Sequence, residues 1–342
     1  MKMNRLLSPA LAGLFAVSAI VTNATTITQD FAADPAQSGW QMSGDANAFV
    51  WDSTNQNLRV TWDSSKTNSY FYHPLGLTIC RYDDFQIEFD LNLDDCVSGN
   101  EPGKTGPMQI AIGLMNFAGA TDPGFGRGIY GSAPNIAEFN YFPSGVYDFG
   151  GPFPVEATTT PAFISSEGFS YAPTFFAPSY IFELPTNQVV RVSMKFTAKN
   201  QSLAMTVTTN GQVLFQPPNV DLSDSGNSGF TETDDFIVDT FAIKSYSSVG
   251  NDYDSVLAHG TVDNIYVHIP PVQDMTGALS NGIWQTQFRS RTNWTYTLER
   301  STNFVSWDEV AATVSGNGTN LPLNDLNPPQ DNAFYRVRAW QP

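Results

Sequence analysis

Hydrophobic and polar residues alternate with a period of two along most of the chain. The clearest examples are residues 58–62, 85–94, 190–197 and 203–207. Each places apolar side chains on one face and polar side chains on the other, which is typical of half-buried strands. Asn210 and Gly211 follow the last segment and favour a tight two-residue hairpin. No segment outside the first 24 residues has a convincing helical period, so the pattern predicts an all-β protein.

The first 24 residues differ from the rest. Lys2 and Arg5 precede an apolar segment that ends in the small residues Thr22 and Ala24, as in a secretory signal peptide. This segment is too short for a membrane span, and no later one approaches about 18 consecutive apolar residues. We therefore predict that residues 1–24 are a cleavable signal and that the mature chain is exported without membrane insertion.

A second boundary falls at Pro270 and Pro271, because two prolines cannot continue the central strand predicted over residues 262–269. We predict a main domain of residues 25–270 and a small β-module of residues 271–342. The module carries strand patterns at residues 284–288, 296–300, 307–312 and 334–340.

Negative charge is concentrated in the main domain. Residues 25–271 carry 9 Lys or Arg against 27 Asp or Glu, whereas residues 272–342 carry 5 against 6. Such a surface repels nucleic acid, which we exclude as a partner. It is compatible with cations, with polysaccharides, or with a role in solubility alone. Cys80 and Cys96 flank the strand predicted over residues 85–93, which argues against a disulfide, and no cysteine–histidine spacing predicts zinc.

A candidate site lies in residues 135–143. The period of two places Glu138 and Asn140 on the same face as Ile136 and Phe142. Polar side chains inside an apolar stripe are costly to bury unless a partner satisfies them. A metal ion, a sugar hydroxyl or neighbouring backbone amides would serve.

Residues 138–143 resemble the metal-binding strand of legume lectins, which implies a concanavalin A-like jelly roll. By this resemblance Glu138 matches the metal-binding glutamate, Asn140 replaces the bridging aspartate, Phe142 offers its carbonyl and Asp148 stands in for a later acid. The sequence departs from the pattern in the missing charge of Asn140, in Ser144 and in the absence of a following metal-binding histidine.

Two further segments resemble this fold. Residues 83–91 are similar to an inner strand of laminin-G-like and other concanavalin A-like jelly rolls, and residues 260–267 to their closing strand. Alternation places Asp263 on the face of Ile265 and Val267. We expect Asp263 either to bind calcium together with Asp30 or Asp34 or to hold a loop through backbone amides. Residues 296–301 and 334–337 resemble fibronectin III or immunoglobulin-type accessory modules of exported bacterial proteins.

An enzyme of the same fold is the alternative. Family 16 glycoside hydrolases use two glutamates on one strand, and residues 88–94 lack the second one. Polysaccharide lyases of this fold use a histidine and a tyrosine, and His73 follows Tyr72 directly. If the protein is catalytic, Glu138, His73 and Tyr72 are the candidates.

The favoured hypothesis is a non-catalytic protein that binds a polysaccharide or cell-surface glycan outside the bacterial cytoplasm, secreted, at the cell surface or in the periplasm. Residues 139–182 are rich in aromatic residues and proline, which predicts long loops with short edge strands. The rings either stack on sugars, as this hypothesis requires, or only pack the loops onto the sheet. A structural surface or matrix component remains open. The candidate ligand-binding residues are Glu138, Asn140, Tyr141, Phe142, Tyr147, Tyr171 and Tyr180; Asp263, Asp30 and Asp148 are candidate calcium ligands.

Overall fold

A computed structural model of the chain describes residues 15–21, 25–126, 135–148, 151–165, 170–171, 178–223 and 235–340. It divides into two compact units. The larger unit is Thr25–Ile269, and the smaller consists of Pro270–Pro342 together with Met1–Ala24. None of the helices in the described ranges is long and apolar enough to cross a membrane.

The elements are short strands with few helical turns. The first strands are β1 (Phe15–Val21), β2 (Thr25–Gln29), β3 (Gln41–Ser43), β4 (Phe49–Asp52), β5 (Asn57–Asp63), β6 (Ser69–Ile79), β7 (Phe85–Ser98), β8 (Gly106–Pro107) and β9 (Ile110–Met115). The next are β10 (Ile136–Phe142), β11 (Gly145–Asp148), β12 (Pro152–Val155), β13 (Thr158–Ile164), β14 (Ser170–Tyr171), β15 (Val190–Thr197), β16 (Ser202–Thr209), β17 (Gln212–Phe215), β18 (Val220–Asp221), β19 (Val238–Ser245) and β20 (Asp254–Ile269). The last are β21 (Gln273–Ser280), β22 (Ile283–Arg289), β23 (Thr295–Ser301), β24 (Asp308–Glu309), β25 (Val314–Ser315), β26 (Asn320–Asp325) and β27 (Ala333–Trp340). One α-helical turn, α1 (Phe117–Ala120), and 3-10 turns at Pro35–Ser38, Ala46–Ala48, Pro178–Tyr180 and Ala198–Asn200 complete the set.

Two facing sheets build the larger unit. The seven-stranded sheet has the order β14-β13-β10-β9-β19-β6-β3, and the ten-stranded sheet runs β17-β16-β15-β7-β20-β5-β4 with β2, β8 and β18 beside it. Phe89 of one sheet packs edge-on against Phe139 of the other, with ring centroids 5.6 Å apart. Phe163 and Phe196 also meet across the core, with ring centroids 5.6 Å apart and ring planes tilted by 59°. The prediction of an all-β jelly-roll sandwich is confirmed.

Burial along the strands follows the period of two. In β7 the odd-numbered residues from Phe85 to Leu93 are buried, and the residues between them are partly exposed. The strand is longer than predicted, because it continues to Ser98 and contains Cys96. Burial raises the pKa of the Cys96 thiol to about 12. No disulfide joins Cys80 to Cys96.

The predicted hairpin at Asn210 and Gly211 is present between β16 and β17. Both residues have positive φ angles, 48° and 75°, as a two-residue turn of this kind requires.

The prediction of long loops and short edge strands over residues 139–182 is wrong in part. Strands β10 and β13 pair along their full length within the seven-stranded sheet, and every residue of both is buried. Pro161 lies inside β13, opposite Phe139. Both faces of these strands are covered, which explains why their sequence lacks alternation between apolar and polar residues.

The smaller unit contains a five-stranded and a three-stranded sheet. Its core includes Trp284 stacked on Tyr335 at 4.6 Å, and the Tyr296 hydroxyl donates a hydrogen bond to the Pro271 carbonyl at 2.9 Å. Three of the four predicted strands are full strands, whereas residues 307–312 contain only the two-residue β24. Residues 15–21, part of the predicted signal, pair in parallel with β27 in this unit.

Candidate functional site

Glu138 and Asn140 lie on the face of the seven-stranded sheet that points away from the ten-stranded sheet, here called the outer face. Phe139, between them, points into the core against Phe89. In the neighbouring strand β9, Gly113 pairs with Glu138 and Ala111 pairs with Asn140. The sequence prediction that Glu138 and Asn140 share a face is therefore correct.

Glu138 forms a buried ion pair on this face. The Lys244 ammonium donates to the Glu138 carboxylate at 2.6 Å, and neither side chain has any exposed surface. The Tyr246 hydroxyl donates to the same carboxylate oxygen at 2.8 Å, and Lys244 also donates to the Leu114 carbonyl at 3.1 Å. These hydrogen bonds offset part of the large cost of removing two charges from water.

The small residues of β9 make this pair possible. Lys244 lies on β19 next to Ala111, so its side chain must cross β9 to reach Glu138 on β10. Gly113 faces Glu138, and a Cβ atom added to Gly113 would lie 2.6 Å from the Glu138 Cα. Larger residues at these two positions would block the path between the ammonium and the carboxylate.

The same charge acts on Tyr70. Burial, and then the negative charge of Glu138, raise the pKa of the Tyr70 hydroxyl well above its ordinary value. Tyr70 therefore stays protonated, and its hydroxyl donates to the Ala120 carbonyl at 2.8 Å.

Two buried amides near the ion pair lack hydrogen-bond partners. Neither the oxygen nor the nitrogen of the Asn140 and Gln109 side chains has a partner among the described residues, and the two residues are 0% and 1% exposed. Gln109 lies two residues before Ala111, the pairing partner of Asn140, so alternation places both amides on the outer face. Buried polar groups without partners are rare in folded proteins.

Residues 117–125, here called the roof segment, cover part of the outer face. The Phe117 ring lies 4.3 Å from that of Tyr72, and the Phe125 ring lies 6.2 Å from that of Tyr246. The Asn68 side-chain amide donates to the Phe125 carbonyl at 3.1 Å. The roof segment therefore covers the outer face around Tyr72 and Tyr246.

An open groove adjoins the roof segment, with a volume of about 750 Å³. It combines aromatic rings with hydroxyl, amide and carboxylate groups, and Tyr70 lines it from the outer face of the sheet. Its lining residues are Ser43, Gly44, Thr67, Asn68, Tyr70, Ala120, Thr121, Asp122, Pro123, Gly124, Phe125, Gly126, Ser247, Val249, Gly250, Asn251, Asp252 and Tyr253.

The aromatic residues predicted to stack on sugars are buried. Tyr141 belongs to the main core at 2% exposure, and Tyr180 is 6% exposed. Phe142 and Tyr147 pack together with Val155. The prediction is wrong for these rings, because the β11–β12 hairpin and the facing sheet cover them. The side chain of Tyr171 lies outside the described part of the structure.

The candidate catalytic residues do not meet. His73 lies on the face of β6 opposite to Tyr72, with its ring against Trp40 at 5.5 Å. Its Nε2 contacts the Ser38 carbonyl at 3.0 Å. The Tyr72 hydroxyl donates to the Gln41 side chain at 3.0 Å. The hypothesis that His73 acts with the neighbouring Tyr72 is wrong, because the pleat points His73 away from the outer face, on which Tyr72 lies.

The predicted calcium ligands do not form a cluster. A register shift separates Asp263 from Tyr266, and Asn264 has a positive φ of 47°. The bulge turns Asp263 away from the apolar face, so the prediction from alternation is wrong there. Exposed Asp30 and Asp148 accept hydrogen bonds from the nearby backbone amides of Ala32 and Gly151. No three His, Cys, Asp or Glu side chains in the described ranges are grouped to hold a metal.

Replacing Asp263 with asparagine is expected to stabilise the protein at pH 7 by about 0.5 kcal/mol, or roughly 1–2 °C. Burial, and then the charges of Asp90 and Asp30, raise the pKa of the Asp263 carboxyl above its ordinary value. Between the ordinary and the raised pKa the unfolded chain loses its proton first, so stability falls as the pH rises through this window. Thermal unfolding at pH 3 and pH 7 tests this, with exposed Asp148→Asn as the control. An equal gain at both pH values would contradict the electrostatic explanation.

No family model matches the chain, and no curated protein matches it. Among solved structures, lectin II from Ulex europaeus is similar, with a TM-score of 0.42, 11% identity, and coverage of 71% of this chain and 97% of that one. The exoplasmic domain of VIP36, bound to calcium and Man3GlcNAc, covers 75% of this chain and 92% of its own at a TM-score of 0.37 and 11% identity. An alginate lyase in complex with alginate trisaccharide covers 72% and 98% at a TM-score of 0.34 and 10% identity. The similarity concerns the arrangement of strands, and no residue role is taken from these proteins.

Sequence reasoning missed Lys244, Tyr246 and the groove. One signal was available, since Lys244 is the only lysine in the otherwise apolar residues 241–244. A lysine in a buried strand requires an acidic partner. The groove is built from four separate chain segments, so no local sequence pattern predicts it.

Proposed function

We propose that the protein binds glycans in the groove formed by residues 43–44, 67–70, 120–126 and 247–253. One observation carries this proposal: a half-exposed ring, Tyr253 at 43% exposure, lies in an open groove among carboxylate, amide and hydroxyl groups. Aromatic rings with a polar end suit partly wet sites, and about 750 Å³ is within the range of ligand sites.

Hydrogen bonds fix the walls of the groove in place. The Asn68 side chain accepts from the Ser247 amide at 2.8 Å and donates to the Phe125 carbonyl at 3.1 Å, so it joins two walls. The Asn251 side chain accepts from the amides of Tyr253 and Asp254. A site held in its binding conformation loses less entropy when a ligand binds.

Replacing Tyr253 with alanine is expected to weaken glycan binding about tenfold, because the loss of one stacked ring is worth roughly 1.4 kcal/mol. Isothermal titration against a panel of soluble polysaccharides measures the effect. Tyr82→Ala is the matched control, since Tyr82 is 47% exposed and does not line the groove. Equal affinity of Tyr253→Ala and the wild type would remove Tyr253 from the binding site.

The same titrations separate the alternatives. If the wild type binds no glycan, with or without calcium, the proposal fails and a structural surface component is favoured. Release of reducing or unsaturated sugars would favour a hydrolase or lyase. Equal binding with and without calcium would show that the groove works without the metal.

Export is part of the proposal and is supported by residues 1–24. Processing after Ala24 would give a mature chain that begins at Thr25 and lacks strand β1. N-terminal sequencing of protein recovered from the culture medium, periplasm or envelope tests this, and an intact Met1 in that protein would contradict it.

A further inference from the structure

We propose that the side chains of Asn140 and Gln109 form an inner subsite, next to the groove, that hydrogen-bonds the hydroxyl groups of an uncharged sugar residue. This inference rests on the proposed function, and it names the class of glycan. Its starting point is the pair of buried amides on the outer face, both without partners among the described residues.

The hydrogen-bonding capacity of the two amides defines the ligand. Each offers two N–H donors and one oxygen acceptor, and leaving them unmet in a buried position is unfavourable. A sugar ring carries several hydroxyl groups, and each one both donates and accepts. Such a ligand satisfies both ends of both amides, whereas a metal ion or an anion would satisfy only one end.

The charge of the surroundings selects against an anionic sugar. In the described strands β9, β10 and β19 the one cationic residue is Lys244, which pairs with Glu138 at 2.6 Å. A uronate or sulfate beside this pair would meet no unpaired cation among these described residues, and burying an unpaired charge is strongly unfavourable. The net negative charge of residues 25–271 also repels an anionic sugar. An uncharged hexose unit meets neither obstacle.

The subsite and the groove lie along one row of the outer face. Asn140 pairs with Ala111, Ala111 with Lys244, and Lys244 with Tyr70, which lines the groove. Three strand spacings separate Asn140 from Tyr70, or about 14 Å. A chain of sugar residues bound along this row from the groove would reach the amides.

Two covering elements control access. The roof segment is tied down by the hydrogen bonds from Tyr70 to the Ala120 carbonyl and from Asn68 to the Phe125 carbonyl. On the other side, Tyr147 of the β11–β12 hairpin packs on Phe142, which shares the face with Asn140. Because Asn140 and Gln109 are 0% and 1% exposed, entry of a sugar residue requires the residues that cover them to move.

Asn140→Leu tests the subsite, because leucine keeps the approximate size of the side chain and removes its polar atoms. Without ligand, we expect the melting temperature to stay the same or rise. With the neutral hexasaccharides of glucose, mannose and xylose as probes, we expect binding about tenfold weaker than that of the wild type. Asn57→Leu is the matched control, since Asn57 also has a buried side-chain oxygen without a partner and lies on β5 of the ten-stranded sheet.

Gln109→Met is the second variant, for the case in which Asn140→Leu does not fold. The side-chain amide signals of both residues, assigned by nuclear magnetic resonance from their loss in the two variants, are expected to shift when a neutral hexasaccharide is added. If Tyr253→Ala weakens binding while both amide variants bind like the wild type, the inner subsite is overturned and the proposed function stands. Equal or tighter binding of oligogalacturonate by the wild type would overturn the choice of an uncharged sugar. A wild type that binds no glycan overturns both proposals.

Discussion

Replacing Lys244 with methionine is expected to lower the free energy of unfolding by about 3–5 kcal/mol, the usual result of breaking a buried ion pair from one side. Methionine fills much of the space of the lysine side chain but cannot neutralise Glu138, whose carboxylate has no exposed surface. The Tyr246 hydroxyl, which donates to this carboxylate at 2.8 Å, is neutral and cannot replace the charge of the lysine. Urea unfolding followed by tryptophan fluorescence measures the loss.

Two variants isolate the cause. Adding Glu138→Gln to Lys244→Met removes the unpaired charge, so most of the stability is expected to return. Lys195→Met makes the same substitution at an exposed position of β15 and is expected to change stability by less than about 0.5 kcal/mol. If Lys244→Met and Lys195→Met both changed the free energy of unfolding by less than about 0.5 kcal/mol, the buried pair would contribute little to the stability of the protein.

Replacing Gly113 with alanine is expected to cost about 3 kcal/mol, at the upper end of the range for overpacking. The added Cβ would lie 2.6 Å from the Glu138 Cα and 2.7 Å from the Ala137 carbonyl oxygen. Both obstacles are backbone atoms of the paired strand β10, so no side chain can rotate away. Strands β9 and β10 would have to separate, which also pulls Glu138 away from Lys244.

Gly126→Ala is the control for this substitution, because a Cβ there meets nothing within 4 Å. Thermal unfolding of both variants shows whether the effect is specific to β9. A Gly113→Ala variant that melts within about 1 °C of the wild type would mean that β10 moves at little cost, and the close approach would then not hold the site together.

The period of two determined much of the fold. It predicted the hairpin at Asn210 and Gly211, and it placed Glu138 and Asn140 on one face, because side chains in a strand must alternate between its two sides. It failed at Asp263. There a bulge with a positive φ at Asn264 shifts the alternation, and no local pattern around these residues distinguishes the bulge from a regular strand.

Local sequence also could not assign the aromatic residues. Tyr141, Phe142 and Tyr147 occur among prolines and glycines that are typical of exposed loops, yet all three are buried. Their environment depends on which chain segments pack against each face of the sheet. That information is held by contacts between residues far apart in the chain.

The sequence by itself determined an acidic, all-β chain with two polar residues in an apolar stripe, because composition and alternation are local properties. Only the tertiary structure decided what meets those residues. The pairing of β9, β10 and β19 brings the Lys244 side chain across Gly113 to Glu138. It leaves the Asn140 side chain without a hydrogen-bond partner among the described residues. The free-energy cost of burying a charge depends on the groups that surround it in space. The order of the strands in the sheet determines which groups those are.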